Sequence, residues 1–191
     1  MVGYIYAPAS SDVNDFSVAA LFSIDITPKS WQESFQANIL GLIALIDVST
    51  PHLMKNFATA SIVVISSLAG FEAIYHAVAG PYTTIKRAQA TLAKDYARKL
   101  GPLGVRINTV VPGAVETTGR TLPDGTREPG GFEMARREKP EYIASILKSI
   151  PLGRPGTVEE IANAVIFLSS PLSSYISGVN LVVDGSMSIG F

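Results

Sequence analysis

In the stretch GPYTTIKRAQATLAKDYARKL, Gly80 to Leu100, a tyrosine, Tyr82, stands four residues before a lysine, Lys86. On a helix that spacing lays both side chains on one face. A phenol ordinarily keeps its proton at neutral pH. An ammonium a few ångströms away favours the phenolate and can lower its pKa by roughly 1–3 units. The phenol then becomes a usable general acid or base. Upstream, SIVVISS closes on Ser66 and Ser67. A hydroxyl at a strand end is placed to hydrogen-bond a substrate oxygen on which charge develops. Ser67, Tyr82 and Lys86 together can move a proton on or off an alcohol or carbonyl.

Each of these residues also has an ordinary reading. The Tyr–Lys pair can be plain helix surface and Ser67 a strand-end cap. Asn38, an amide in the middle of an apolar helix, reads as a satisfied core group. His52 and His76 lack companions at metal-binding spacing, so no metal is expected. Only the combination points to chemistry.

The elements that must hold this set follow from the apolar pattern. Four short β-branched runs read as buried strands: Val2–Ala7, Ser61–Ser67, Gly104–Val111 and Val179–Val183. Between them lie helical patterns. One begins near Thr27, with Pro28 in its first turn, Ser30 and Glu33 spaced as a capping box, and Phe35, Ile39, Leu42, Ile43 and Ile46 on one stripe. Pro51 is expected to kink its last part. The Tyr82 helix carries Ile85, Gln89, Leu92 and Tyr96 on one face and stops at Gly101. A third has a Thr157–Glu160 capping box and a stripe of Ile161, Val165 and Leu168. Residues 119–140, rich in Gly, Pro and charge, read as a mobile insertion. Strands alternating with helices imply a parallel sheet covered on both faces. Such sheets bind ligands beyond the carboxyl ends of their strands. Ser66-Ser67, Pro112-Gly113 and the start of the Tyr82 helix all fall there.

Composition narrows the function classes. The 191 residues are enough for one domain; 47% are hydrophobic and 16% charged, with net charge −1. There is no basic stripe, so nucleic acid and anionic membrane are not expected partners. There is no cysteine, which removes disulfides and thiol catalysis. The N-terminus MVGYIYAPASS has no positive n-region and does not read as a signal peptide. A soluble, cytoplasmic protein is expected.

SIVVISSLAG, YTTIK, GVRINTVVPGAVETTG and GRPGTVEEIANAVIFLSSPLSSYISGVNLVVDGSMS follow one another in this chain. In order and near spacing, from about Trp31 to Ser188, they resemble the short-chain dehydrogenase/reductase family. The resemblance implies a Rossmann-like, doubly wound α/β sheet in one domain over residues 1–191, with 119–149 as a substrate loop or lid. It implies hydride transfer between a small carbonyl or alcohol substrate and NADP or NAD. Tyr82 matches the family's acid/base. Lys86 matches the lysine that lowers the tyrosine pKa and holds the nicotinamide ribose. Ser67 matches the serine that orients the carbonyl, and Asn38 the asparagine of the proton-relay water. Pro112, Gly113 and Val115 match the wall around the nicotinamide, and Thr117 the threonine near the cofactor phosphates. The tail resembles that of tetrameric reductases, which implies a homo-oligomer, dimer or tetramer. Its interfaces would be the last strand with the helix of residues 157–169, and the helix from residue 30 with the Tyr82 helix.

One part of the family pattern is missing. Members open with a strand, a Gly-rich turn and a helix that cradle the dinucleotide pyrophosphate. Here the only glycine before residue 41 is Gly3, and Ala7-Pro8-Ala9-Ser10 stands where the family has Asn-Asn-Ala-Gly. The expectation is an N-terminally truncated fold whose first strand in this chain is left as an edge. Three functions stay open. The first is an NAD(P)-dependent oxidoreductase. The second is a protein doing cofactor-free acid/base chemistry, as an isomerase, dehydratase or cyclase. The third is a non-catalytic binding relative. Phe132, Met134, Tyr142 and Ile143 are the apolar candidates for substrate contact.

Overall fold

The structure, a computed structural model, describes residues 27–56, 60–72, 81–117 and 119–188. The expected strand at Val2–Ala7, the turn at 7–10 and His76 lie outside them. The first described helix begins at Pro28, whose missing N–H and preset φ suit a first helical position. That places the cap at Thr27. Its side chain accepts from the Ser30 N–H at 3.1 Å, while the Ser30 hydroxyl takes the Thr27 N–H at 3.2 Å. The capping box is therefore Thr27–Ser30, three residues before the expected Ser30–Glu33. Glu33 instead pairs with Lys29 at 3.8 Å on the exposed face.

This helix runs as α1 (Pro28–Phe35), a π turn (Gln36–Leu40) and α2 (Gly41–Leu53). An irregularity that the sequence did not announce, the π turn, lies around Asn38. There the Gly41 N–H reaches back five residues to the Gln36 carbonyl, while α2 continues through Pro51 to Leu53. Ile39, Leu42 and Ile46 are buried as the stripe required, but Phe35 is 48% exposed. The π turn inserts an extra residue into the ladder, so residues on its two sides no longer share one face.

The sheet consists of β1 (Ser61–Ile65), β2 (Arg106–Pro112) and β5 (Asn180–Val183), all parallel in the order β1-β2-β5. The register sets Ile65 beside Val110 and Pro112 beside Val183. β1 and β2 therefore deliver their carboxyl ends to the same edge. α2 and α3 (Pro81–Leu100) cover one face, with Leu42, Ile46, Ala93, Ala97 and Leu100 packed on Ile62, Val64 and Ile107. α6 (Val158–Ser169) covers the other through Leu168, Ile161 and Val165 against Val63 and Val110. Near-continuous apolar strands are what a sheet buried on both faces demands. The doubly wound α/β architecture is present.

At the amino end of the sheet the Arg106 guanidinium ties three segments together. It donates to the carbonyls of Leu168, Ser170 and Ile176 and to the Ser173 hydroxyl at 3.0–3.3 Å. The Leu168 and Ser170 carbonyls belong to the C-terminal end of α6, where helical partners run out. Residues 119–149 hold β3 (Arg120–Thr121), antiparallel to β4 (Arg127–Glu128), then α4 (Gly131–Glu138) and α5 (Pro140–Lys148). The segment read as a loop therefore carries regular structure. Exposed ion pairs Arg120–Glu128, Arg127–Glu133 and Arg137–Glu133 link it internally. No helix among the described residues is long and apolar enough to cross a membrane.

Candidate active site

β1 ends at Ile65 and the chain turns at once into a 3₁₀ turn, Leu68–Gly70. Ser67 is the residue at that corner. It stays extended (φ −160°, ψ 146°) and its side chain accepts from the Ala69 N–H at 3.3 Å. The strand-end cap expected for Ser67 is thus real, and its side chain also hydrogen-bonds Tyr82. The corner lies against the first turns of α3. A Cβ on Gly70 would stand 2.7 Å from the Arg87 backbone nitrogen and 3.1 Å from the Lys86 Cβ. Glycine is needed there to let the turn approach the helix backbone.

Residue 86 is clamped to the strand end from both sides. The Ser66 hydroxyl donates to the Lys86 carbonyl at 2.6 Å, and Lys86 Nζ donates to the Ile65 carbonyl at 3.1 Å. Nζ lies 5.9 Å from the centre of the Tyr82 ring. The structure thus brings Ser67, Tyr82 and Lys86 into one cluster, and adds Ser66 and Gly70 as its supports.

The electrostatics differ from the expectation. Burial pushes the Tyr82 phenol above its ordinary value, and the hydrogen bond with Ser67 pulls it partly back. Lys86 is not among the causes. Its ammonium is itself held down, to about 8, by burial. A buried lysine loses hydration that the neutral amine needs less. In this structure, then, the hydrogen bond with Ser67 favours the phenolate, and burial, the larger effect, keeps the proton on Tyr82 at neutral pH.

Asn38 sits across from this helix, buried in the π turn. Its side-chain amide donates back to the Ser34 carbonyl at 3.1 Å, and its own backbone carbonyl accepts from Gln89 Nε2 at 3.1 Å. The side chain is satisfied locally, as the ordinary reading had it. Pro112, Gly113, Val115 and Thr117 leave β2 in one run at the carboxyl edge. Gly113 donates to the Val183 carbonyl at 3.0 Å, and a Cβ there would meet the Asp184 Cβ at 2.7 Å. Val115 bridges Gly156. Thr117 is covered by Gly130, where any Cβ would collide with its carbonyl and hydroxyl.

Above the edge, Leu68, Val111 and Met187 form a cluster with Ala135, Ile143, Ile146 and Ile150. Ile143 is 4% exposed and so packs that cluster; Phe132, Met134 and Tyr142 remain half-buried at its margin. Three supporting residues were given no site role by the sequence reading. Ser66 was masked by its neighbour, and Gly70 gave no periodic signal. Gln89 had one legible trait, being the polar member of an otherwise apolar helix face.

Residues 16–188 match the sequence profile of the family described as enoyl-(acyl carrier protein) reductase. The chain is 36% identical over 160 residues to isoepoxydon dehydrogenase of Penicillium expansum, covering 84% of this chain and 57% of that one. Among solved structures it resembles a gluconate 5-dehydrogenase from Burkholderia cenocepacia in complex with NADP and tartrate. The TM-score is 0.71 at 25% identity, covering 87% of this chain and 59% of that one. It also resembles a 3-oxoacyl-[acyl-carrier protein] reductase with bound NAD from Brucella melitensis. There the TM-score is 0.70 at 26% identity, with coverage of 87% and 55%. The chain therefore spans little more than half the length of these relatives.

Proposed function

The chain belongs to the short-chain dehydrogenase/reductase family, and on that premise we propose that its protein is an NAD(P)-dependent oxidoreductase interconverting a carbonyl compound and an alcohol. The observation that carries this reading is the Ser67–Tyr82 hydrogen bond beside a clamped, buried Lys86 at the carboxyl edge of a parallel sheet. The donor set fits the nicotinamide-ribose end of a dinucleotide. Tyr82 supplies a hydroxyl, and Lys86 supplies an ammonium that also donates to Ile65; Thr117 is assigned to the phosphates. Pro112, Gly113 and Val115 supply a close backbone wall. No described residue forms a Gly-rich turn at a helix N-terminus, so the described fit is confined to the reacting end.

When bound, the reduced nicotinamide supplies the hydride. Ser67 holds the substrate oxygen by a hydrogen bond. Tyr82, protonated at neutral pH, gives that oxygen its proton as negative charge develops on it. Lys86 lies one turn on, where its ammonium can hold the ribose. The segment 119–149, with Phe132, Met134 and Tyr142 at its inner margin, covers a small or medium apolar carbonyl substrate. The same reading places the enzyme in the cytoplasm.

The experiment is titration of the full-length protein with NADPH and with NADH, followed by nucleotide fluorescence. Saturable binding of one of them is expected. Binding of neither would sink the redox reading and favour cofactor-free acid/base chemistry by Tyr82.

The reading includes a homo-oligomer, supported by two exposed apolar bands. One is Leu40, Leu45 and Val48 on the first long helix; the other is Ile166, Phe167, Leu172 and Tyr175 at the end of α6. Patches of this kind mark interaction surfaces. Light scattering across micromolar concentrations should give a dimer or tetramer; a persistent monomer would count against it.

A further inference from the structure

Gln89 lies on α3 three residues after Lys86, on the side that faces α1 and the π turn. It is 7% exposed. Its Nε2 donates to the Asn38 carbonyl at 3.1 Å, and its Oε1 is buried without a hydrogen-bond partner among the described residues. The amide orientation follows from the Asn38 partner, a carbonyl that can only accept. A buried amide with one unsatisfied end is costly. A methionine or leucine of similar size would carry no such cost, so packing alone does not account for a glutamine at this position.

The contacts of Gln89 differ in kind from those around it. Ile85 and Leu92 on the same face make apolar contacts, which have no preferred direction. Gln89 makes a directional bond, and makes it to the one turn of the opposing helix whose ladder is out of α register. One turn earlier, α3 is bonded through Lys86 to Ile65 at the end of β1 and to Ser66 just after it. The helix bearing Tyr82 and Lys86 is thus held by two polar anchors, one at the strand end and one on the π turn.

We propose that Gln89 is a positioning residue for proton transfer: its bond to the Asn38 carbonyl sets the roll of the Tyr82–Lys86 helix against β1, and so the placement of Tyr82 on Ser67. The catalytic consequence rests on the oxidoreductase reading; the geometric claim does not. Tyr82, on the same helix, is a titratable neighbour of Lys86. The end of β1 offers Nζ the neutral Ile65 carbonyl, and Ser66 just after it bonds the Lys86 backbone carbonyl.

The test uses the full-length protein with Gln89→Met, which keeps volume and removes the donor, and Gln89→Glu, which keeps shape and can donate only when protonated. The first readout needs no activity. It is the pH dependence of Lys86 acylation by an amine-reactive ester, followed by mass spectrometry. Release of the helix should let water reach the ammonium, so the Gln89→Met profile should move to higher pH. The second readout is kcat and KM for NADPH-dependent reduction of 2,3-butanedione. Gln89→Met should lose roughly tenfold to a hundredfold in kcat, the scale of a small misplacement, with little change in KM. Gln89→Glu should regain kcat relative to the unmutated enzyme as pH falls. An unchanged acylation profile in Gln89→Met overturns the proposal, whatever happens to kcat; if that variant does not fold, the absence of low-pH rescue in Gln89→Glu overturns it. Should the unmutated protein reduce nothing, the oxidoreductase reading fails and the acylation profile still decides the role of Gln89.

Discussion

The Tyr82→Phe variant is expected to lose kcat by a factor on the order of a hundred to ten thousand, the usual contribution of a positioned general acid, while still binding nucleotide. Phenylalanine keeps the ring and its packing in the first turn of α3 and removes only the proton and the bond with Ser67. Because the loss falls on an interaction made to the developing alkoxide, KM should change little. Direction of reaction provides a second check. Burial raises the Tyr82 pKa above 10.0, so the proton-bearing form persists through neutral pH. Reduction, which needs that form, should be flat across neutral pH and fall only in alkaline solution. Oxidation needs the phenolate and should rise with pH over the same range. A Tyr82→Phe protein that reduces a carbonyl as fast as the unmutated enzyme would show that Tyr82 is not the proton donor.

Lys86→Met should separate function from stability, with opposite signs. The lysine is 4% exposed, and burial brings its pKa to about 8 from 10.5. The folded state therefore binds this proton less tightly than the unfolded state does. Below pH 8 both states are protonated, and the fold carries the full penalty of a buried charge. Between pH 8 and 10.5 the native lysine is neutral while the unfolded one is not, so stability rises with pH. Above 10.5 the penalty is gone. At 1.36 kcal/mol per pKa unit the penalty at neutral pH is of order 3 kcal/mol. Methionine fills similar space without charge but forgoes the bond to Ile65, so a net gain of roughly 1–2 kcal/mol is expected at pH 7. Urea unfolding at pH 7 and pH 10 without nucleotide should show that gain, and its disappearance at the higher pH. The same variant should lose nucleotide affinity and activity. Lower stability at pH 7 would mean that the lysine is held by more than burial allows, and that its role is structural.

Much of the fold could be read from the chain because its rules are local. Ile62, Val63 and Val64 are a β-branched run, and so, but for Asn108, are Ile107 to Val111, and no other element suits them as well. Pro81, Gly101 and the Thr157–Glu160 box mark helix ends by the hydrogen bonds they make or refuse. Where two local rules competed, the stronger constraint won: Pro28 moved the cap from Ser30 to Thr27 because its ring tolerates only the first turn. The segment 119–149 read as loop because its glycines and charges carry no period. Its order comes from Gly130 against Thr117, and from a cluster with Leu68 and Met187 that are distant in sequence.

The types and spacing of Ser67, Tyr82 and Lys86 were legible in the same way, since four residues on a helix fix a shared face. What each group does to its neighbour was not. Charge alone makes a lysine acidify a nearby phenol; burial of both groups opposes that, and burial belongs to the assembled sheet and helices. The amino-acid sequence by itself determined the alternating α/β pattern, the shared face of Tyr82 and Lys86, and the strand ends that meet them. Only the tertiary structure decided that Ser67 is the partner of the Tyr82 phenol, that Lys86 is clamped to Ile65 and Ser66, and that Gln89 reaches the π turn at Asn38. Those decisions depend on distances across 15 to 51 residues of chain, set by the packing of the helices on the sheet, which no local spacing encodes.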